Sequence, residues 1–176
     1  NREHSFPKSW WGSTNSTATN YKAYTDLNHL YPGEAKANQA KSNYPLGEVR
    51  TASKFDNGVT KVGAPMEGQG GGAAFVFEPD DEYKGDFART YFYMVTCYQD
   101  YKWATSYMYM LQQNTYPTLN AWSTRMLLKW AAEDPVSDKE RMRNEAVYSI
   151  QNNRNPFIDF PDLAEYIWGD KVGETF

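Results

Sequence analysis

The segment Asn1-Arg2-Glu3-His4-Ser5-Phe6-Pro7, the segment Asp26-Leu27-Asn28-His29-Leu30 and Asn38 place both histidines of the chain beside carboxylates and carboxamides near its start. A neutral imidazole, with an ordinary pKa of about 6.5, takes a proton from water at neutral pH. Glu and Asn offer the hard oxygen ligands that Mg²⁺ or Ca²⁺ prefers. A base beside a metal held by few protein ligands is a minimal kit for phosphodiester hydrolysis. A plainer account also fits these residues: an exposed tail carrying an incidental histidine. His29, between Leu27 and Leu30, reads first as a structural histidine bonded to backbone.

Successive side chains on a strand point to opposite faces, so Glu3 and His4 serve one site only at a strand end or turn. The elements that must position them follow from the pattern downstream. Residues 12–25 are small, polar and aperiodic, which predicts a loop. Residues 26–32 read as a strand, and residues 33–42, rich in helix formers after Pro32, as a short helix carrying Asn38. The order is strand, loop, strand, helix. Residues 47–55 alternate loosely and predict a strand. Residues 68–72, Gly-Gln-Gly-Gly-Gly, read as a flexible connector, since they lack the Lys-Ser/Thr ending and spacing of a phosphate loop. Residues 73–77 predict a buried strand stopped by Pro79. Beyond them Phe87, Tyr91, Val95 and Tyr98 mark a helix over 84–100. Trp122, Met126, Leu127 and Trp130 mark another over 119–132. Ser137-Asp138-Lys139-Glu140 is a capping box opening a helix over 138–151, and a short helix follows Pro161 through Leu163, Tyr166 and Ile167. The expected class is α+β with a mostly helical C-terminal half.

At 176 residues the chain is expected to be a single domain over 1–176, able to bury a core without disulfides or structural zinc. Cys97 stands alone, which excludes an intrachain disulfide and is expected to be a buried small hydrophobe. No apolar run is long enough for a transmembrane helix, and no signal peptide is visible. The chain opens inside a working motif, so upstream residues are expected to have been removed. Net charge is −4, which argues against tight non-specific binding of nucleic acid. The charge is unevenly spread, however. Residues 1–66 carry eight Lys/Arg and five Asp/Glu, a net of +3, and residues 67–176 carry ten and seventeen, a net of −7. The positive part holds the histidines, which points to a polyanionic substrate. The 29 aromatics, mostly at helical spacing, read as core, with Trp10-Trp11 the pair to watch.

Six short motifs in order resemble the endonuclease I family of ββα-metal (His-Me finger) nucleases, in the form common among exported bacterial members. They are Glu3-His4-Ser5-Phe6-Pro7-Lys8-Ser9-Trp10; Asp26-Leu27-Asn28-His29-Leu30-Tyr31-Pro32; Asn38 with Ser42-Asn43-Tyr44-Pro45-Leu46-Gly47; Tyr83-Lys84-Gly85-Asp86-Phe87-Ala88-Arg89-Thr90-Tyr91-Phe92-Tyr93-Met94; Glu133-Asp134-Pro135-Val136-Ser137; and Asn152-Asn153-Arg154-Asn155-Pro156-Phe157-Ile158. Only about residues 51–77 stay unmatched. The resemblance implies a ββα-metal core, His4 as general base, and Glu3 and Asn38 as metal ligands. Relatives usually carry His at the place of Asn28 and Arg at the place of Lys41. The second difference trades a bidentate guanidinium for a point charge. Lys8, Lys22, Lys41, Arg89 and Arg154 are the candidates for contact with substrate, the two arginines equally readable as packing salt bridges; Asn28 and His29 are structural or supporting candidates. The family's N-terminal helical stretch is missing from the chain.

What the resemblance implies is a divalent-metal-dependent endonuclease of low sequence specificity, using Mg²⁺ (or Ca²⁺ or Mn²⁺). It would cut DNA, with RNA as a second substrate, and leave 5′-phosphate and 3′-hydroxyl ends. It would be a bacterial secreted or periplasmic monomer with no membrane partner. The alternative class is a non-catalytic nucleic-acid or polysaccharide binding module on the same fold. A zinc hydrolase lacks the His-Glu-x-x-His spacing it would need.

Overall fold

The computed structural model describes residues 1–12, 17–112 and 115–176; the part of the expected loop at 13–16 lies outside them. The class is α+β. The described strands are β1 (Arg2–His4), β2 (Leu30–Pro32), β3 (Val49–Asp56), β4 (Lys61–Pro65) and β5 (Val76–Glu78). The described helices are α1 (Ala35–Lys41), α2 (Lys84–Cys97), α3 (Ala121–Glu133), α4 (Asp138–Gln151), α5 (Pro156–Asp159) and α6 (Leu163–Trp168).

β1 and β2 pair antiparallel with Arg2 opposite Pro32, Glu3 opposite Tyr31 and His4 opposite Leu30. The second sheet runs β3-β4-β5, also antiparallel. The strand expected over 26–32 forms only at its end. Asp26 accepts the amide of Asn28 at 2.9 Å, which caps a 3₁₀ turn over Leu27–His29, and an Asp that bonds its own backbone two residues on favours a turn over a ladder. Within 17–25 the expected loop is wound into 3₁₀ turns at Ala18–Asn20 and Lys22–Thr25. The glycine run is packed in its middle and open at its ends: a Cβ on Gly71 would meet the Tyr109 carbonyl and the Trp122 indole, whereas one on Gly68 or Gly72 would meet nothing.

α2 is the axle of the molecule. Its residues from Ala88 to Val95 are all buried, as are Gly85 and Asp86, and a helix covered on nearly every side must be a core helix. Phe6, Trp10, Tyr91, Phe92, Leu127 and Trp130 meet in one core cluster. Trp10 and Trp11 are therefore core, at 0% and 1% exposure. Cys97 departs from expectation. It is exposed, because the last turn of α2, from Thr96, leaves the core. The capping box at Ser137 and Glu140 forms in both directions.

α2 also fixes the short first sheet. The Tyr91 hydroxyl donates to the Ser5 carbonyl at 2.9 Å. Tyr93 and Tyr98 each donate to Asp26 Oδ2 at 2.6 Å, and Gln151 of α4 donates to its Oδ1 at 2.8 Å. Burial alone would raise the Asp26 carboxyl, but these donors outweigh it and hold it below its ordinary range. A buried anion with this many donors pins the start of β2 to α2 and α4.

Candidate active site

Glu3 sits mid-strand in β1, and its side chain meets α1. Gly33, between β2 and α1, lets the two approach: a Cβ built there would lie 3.3 Å from Glu3 Cβ and 3.9 Å from Asn38 Cβ. Any larger residue would crowd the seat between them. Glu3, Asn38 and Lys41 line one cavity of about 470 Å³, together with Tyr31, Phe77, Phe87 and Arg143. Asn38 makes no side-chain hydrogen bond among the described residues, and Glu3 receives one, from Lys41 Nζ at 2.6 Å on Oε1. One carboxylate and one uncommitted carboxamide thus face a common space, a donor set of hard oxygens suited to Mg²⁺, Ca²⁺ or Mn²⁺. Among the described residues no three His, Cys, Asp or Glu side chains stand together as a metal cluster, so an ion here would rest on two protein ligands and water.

His4 follows Glu3 on the strand and turns to the other face, as the pleat requires. It is absent from the lining of that cavity. Its ring packs instead against Tyr24, His29 and Trp11, at centroid distances of 5.2, 5.3 and 5.7 Å. Nε2 lies 2.9 Å from the Tyr24 carbonyl. A carbonyl only accepts, so this bond puts the proton of the neutral ring on Nε2 and leaves the lone pair on Nδ1. Burial, followed by the charges of Lys8, Arg2 and Lys41, pulls the His4 imidazole below 6.5 against the pull of the Tyr24 carbonyl. The ring is accordingly neutral at pH 7, with a basic nitrogen at Nδ1.

His29 is fully buried, its Nε2 2.6 Å from the Ala23 carbonyl. Burial foremost pushes its pKa down to about 4, and its Nδ1 has no hydrogen-bond partner among the described residues. Asn28 is buried too, with Nδ2 3.4 Å from Asn153 Oδ1.

The cationic candidates divide sharply. Arg89 is only 2% exposed. Its Nε and Nη2 grip both oxygens of Glu140 at 2.8 and 2.6 Å, and Nη1 donates to the Asp134 carbonyl at 2.9 Å. Of the two readings the sequence offered for Arg89, phosphate contact or packing salt bridge, this geometry favours the second: the guanidinium is spent inside, tying α2 to the start of α4. Lys41 is 2% exposed and committed to Glu3 at 2.6 Å. Arg154 is more open but holds Asp159 at 2.8 and 2.9 Å and Glu145 at 2.6 Å. Lys22 is exposed, and Lys8 Nζ lies 5.7 Å from the Tyr24 ring centroid. A further cation escaped the sequence reading. Arg2 stands on the same strand face as His4, donates to the Tyr24 hydroxyl at 2.9 Å and lies over that ring. The two-residue spacing Arg2–His4 on a strand was the signal for it.

Comparison with known proteins bears on the same residues. The family model described as Endonuclease I matches residues 1–162. The chain is 35% identical over 182 aligned residues to a protein named extracellular ribonuclease from Bacillus subtilis (strain 168), covering 96% of this chain and 54% of that protein. It is equally identical over the same length to a protein of the same name from Bacillus amyloliquefaciens, covering 96% and 53%. The chain therefore spans about half the length of the curated relatives it matches.

Proposed function

The chain belongs to the endonuclease I family, and on that premise we propose that it is a divalent-metal-dependent endonuclease. In this reading residues 1–176 form one catalytic unit with a ββα-metal core made of β1, β2 and α1. The observation that carries it is the Gly33 seat, which sets Glu3 and Asn38 side by side at the strand whose next residue is His4.

His4 is the last residue of β1, so although its ring faces away from the Glu3–Asn38 seat it stands at the strand end, where a phosphodiester laid across that end would reach both. Its Nδ1, basic because Nε2 is tied to the Tyr24 carbonyl, accepts a proton from the attacking water. Glu3 and Asn38 would hold the cation, one through its carboxylate and the other through its carbonyl oxygen. When bound, that cation supplies electrostatic stabilisation of charge building on a phosphate oxygen and on the leaving 3′ oxygen. Attack by water leaves a 5′-phosphate and a 3′-hydroxyl. The nucleophile is water and not a sugar hydroxyl, so DNA and RNA are both substrates, in keeping with the ribonuclease name of the relatives. Contacts fall mainly on sugar and phosphate, which carry no sequence information. The relatives' names also support a protein that works outside the cell, and we propose that it works there as a monomer. Mg²⁺ is the ion proposed, with Ca²⁺ or Mn²⁺ as substitutes.

The test is cleavage of supercoiled plasmid and of end-labelled RNA with Mg²⁺. Chelator should abolish both reactions. His4→Ala should lower the rate by roughly 10²- to 10⁴-fold, the usual worth of a general base, and Glu3→Gln should require much more metal. RNA products should carry 5′-phosphates. Activity indifferent to chelator and to His4→Ala, or RNA ends bearing a cyclic phosphate, would overturn the proposal.

A further inference from the structure

Lys41 ends α1 with its side chain 2% exposed and its ammonium 2.6 Å from Glu3 Oε1, while the Glu3 side chain itself is 13% exposed. Among the described residues the ammonium has this one partner. Ion pairs on the surface of the same molecule look different: Lys129, paired with Glu48, is half exposed and shares its charge with water. Lys41 cannot do so, because a charge withdrawn from solvent depends on its counter-ion. Asn38 lies three residues earlier on the same helix, a spacing that puts the two side chains on one face. The helix thus brings to the Glu3 carboxylate both an uncommitted amide oxygen and a positive charge already in place.

We infer that Lys41 is a resident cation competing with the divalent ion for Glu3, and that it sets how much metal the protein needs before its site fills. The inference rests on the proposed metal site and adds the control of its affinity. A single carboxylate balances one positive charge. An ammonium and a doubly charged ion drawn to the same carboxylate repel each other at short range, in surroundings that screen poorly. Filling the site therefore works against Lys41 whether the lysine stays or withdraws. A lysine that merely positioned Glu3 would have the opposite signature, since its removal would loosen the ligand and weaken metal binding. The functional consequence is a site that fills only where divalent cations are plentiful.

The experiment is a titration of the full 176-residue chain with Mn²⁺, followed by the electron paramagnetic resonance signal of the free ion. Wild type is compared with Lys41→Met, Lys41→Gln, Lys41→Arg and Glu3→Gln, each checked for folding by circular dichroism. Lys41→Met and Lys41→Gln should bind Mn²⁺ at least about tenfold more tightly than wild type. Lys41→Arg, which keeps the charge, should stay within about threefold. Thermal melting gives a second readout: the two neutral variants should melt below wild type without metal and gain more from added Mn²⁺. Unchanged or weaker binding in both folded neutral variants, while Glu3→Gln abolishes binding, overturns the role of Lys41 and leaves the metal site standing. Binding that Glu3→Gln does not weaken, or no binding in any variant, overturns both.

Discussion

Asp86 shows at the scale of one residue how the fold sets a charge state. It is 9% exposed, and burial foremost, then the neighbouring charge of Glu140, raises its pKa to about 7 despite the nearby Arg89. An unfolded chain releases this proton near 3.8, whereas the folded chain keeps it until about 7. The contribution of Asp86 is therefore fully present below 3.8, falls as pH rises, and is lost above about 7. Urea denaturation at a series of pH values should reveal it. Asp86→Asn, which cannot ionise, should gain stability relative to wild type from pH 4 to about 7, with a constant difference beyond. A pH-independent difference between the two proteins would show that the carboxyl is already ionised at pH 4. Arg89, in the same cluster, marks a limit on reading residues from sequence. Its motif placed it correctly in the chain, but whether a guanidinium meets a phosphate or a buried Glu140 depends on what packs against it.

Among the elements, the contact of α2 with the segment between α3 and α4 depends on Gly85. A Cβ there would lie 2.0 Å from the Asp134 carbonyl and 2.6 Å from Arg89 Nη2. Alanine in a helix gains about 1 kcal/mol over glycine from propensity. Forcing a carbonyl and a buried guanidinium apart costs about 1–3 kcal/mol or more, and breaking the Arg89–Glu140 pair in the process about 3–5 kcal/mol. The clash should win: Gly85→Ala is expected to be less stable than wild type by at least about 2 kcal/mol in chemical denaturation, and a neutral or stabilised variant would contradict the packing described. The elements legible in the sequence were those with strong local signals. The Ser137–Glu140 box defines its own helix start, and the apolar residues of α2 and α3 repeat at helical spacing. β4 was missed because Lys61-Val-Gly-Ala-Pro65 is short and mixes two poor strand formers, so its pairing with β3 and β5 comes from tertiary contact. α5 was missed because its signal is one Asn155 cap before Pro156. At the candidate site, Glu3, His4 and Asn38 were named by the resemblance and not by any local pattern. The commitment of Lys41 to Glu3 spans 38 residues, and no local pattern encodes it.

Over the whole molecule, the charge that matters to a polyanion is local and not net. The chain carries −4 overall, so its affinity for nucleic acid cannot come from a broad positive field. Two cations stand near the Tyr24 ring that packs on His4: Arg2 lies over it, and Lys22 is exposed two positions before it in the chain. Buried or paired cations such as Arg89 and Lys41 release no counter-ions on binding and should not contribute. Each neutralised phosphate adds about −0.9 to the slope of log affinity against log salt on duplex and about −0.7 on single strands. Two contacts therefore predict a slope of roughly −1.4 to −1.8 for kcat/KM at fixed Mg²⁺, well below the steepness of a basic nucleic-acid binder. Arg2→Ala should flatten that slope by about one and weaken cutting evenly across sequences, since a phosphate contact reads no base. Arg154→Ala should leave the slope unchanged, because that guanidinium is already spent on Asp159 and Glu145. A slope that Arg2→Ala does not alter would move the substrate path away from the Tyr24 face, and with it the approach of the phosphate to His4.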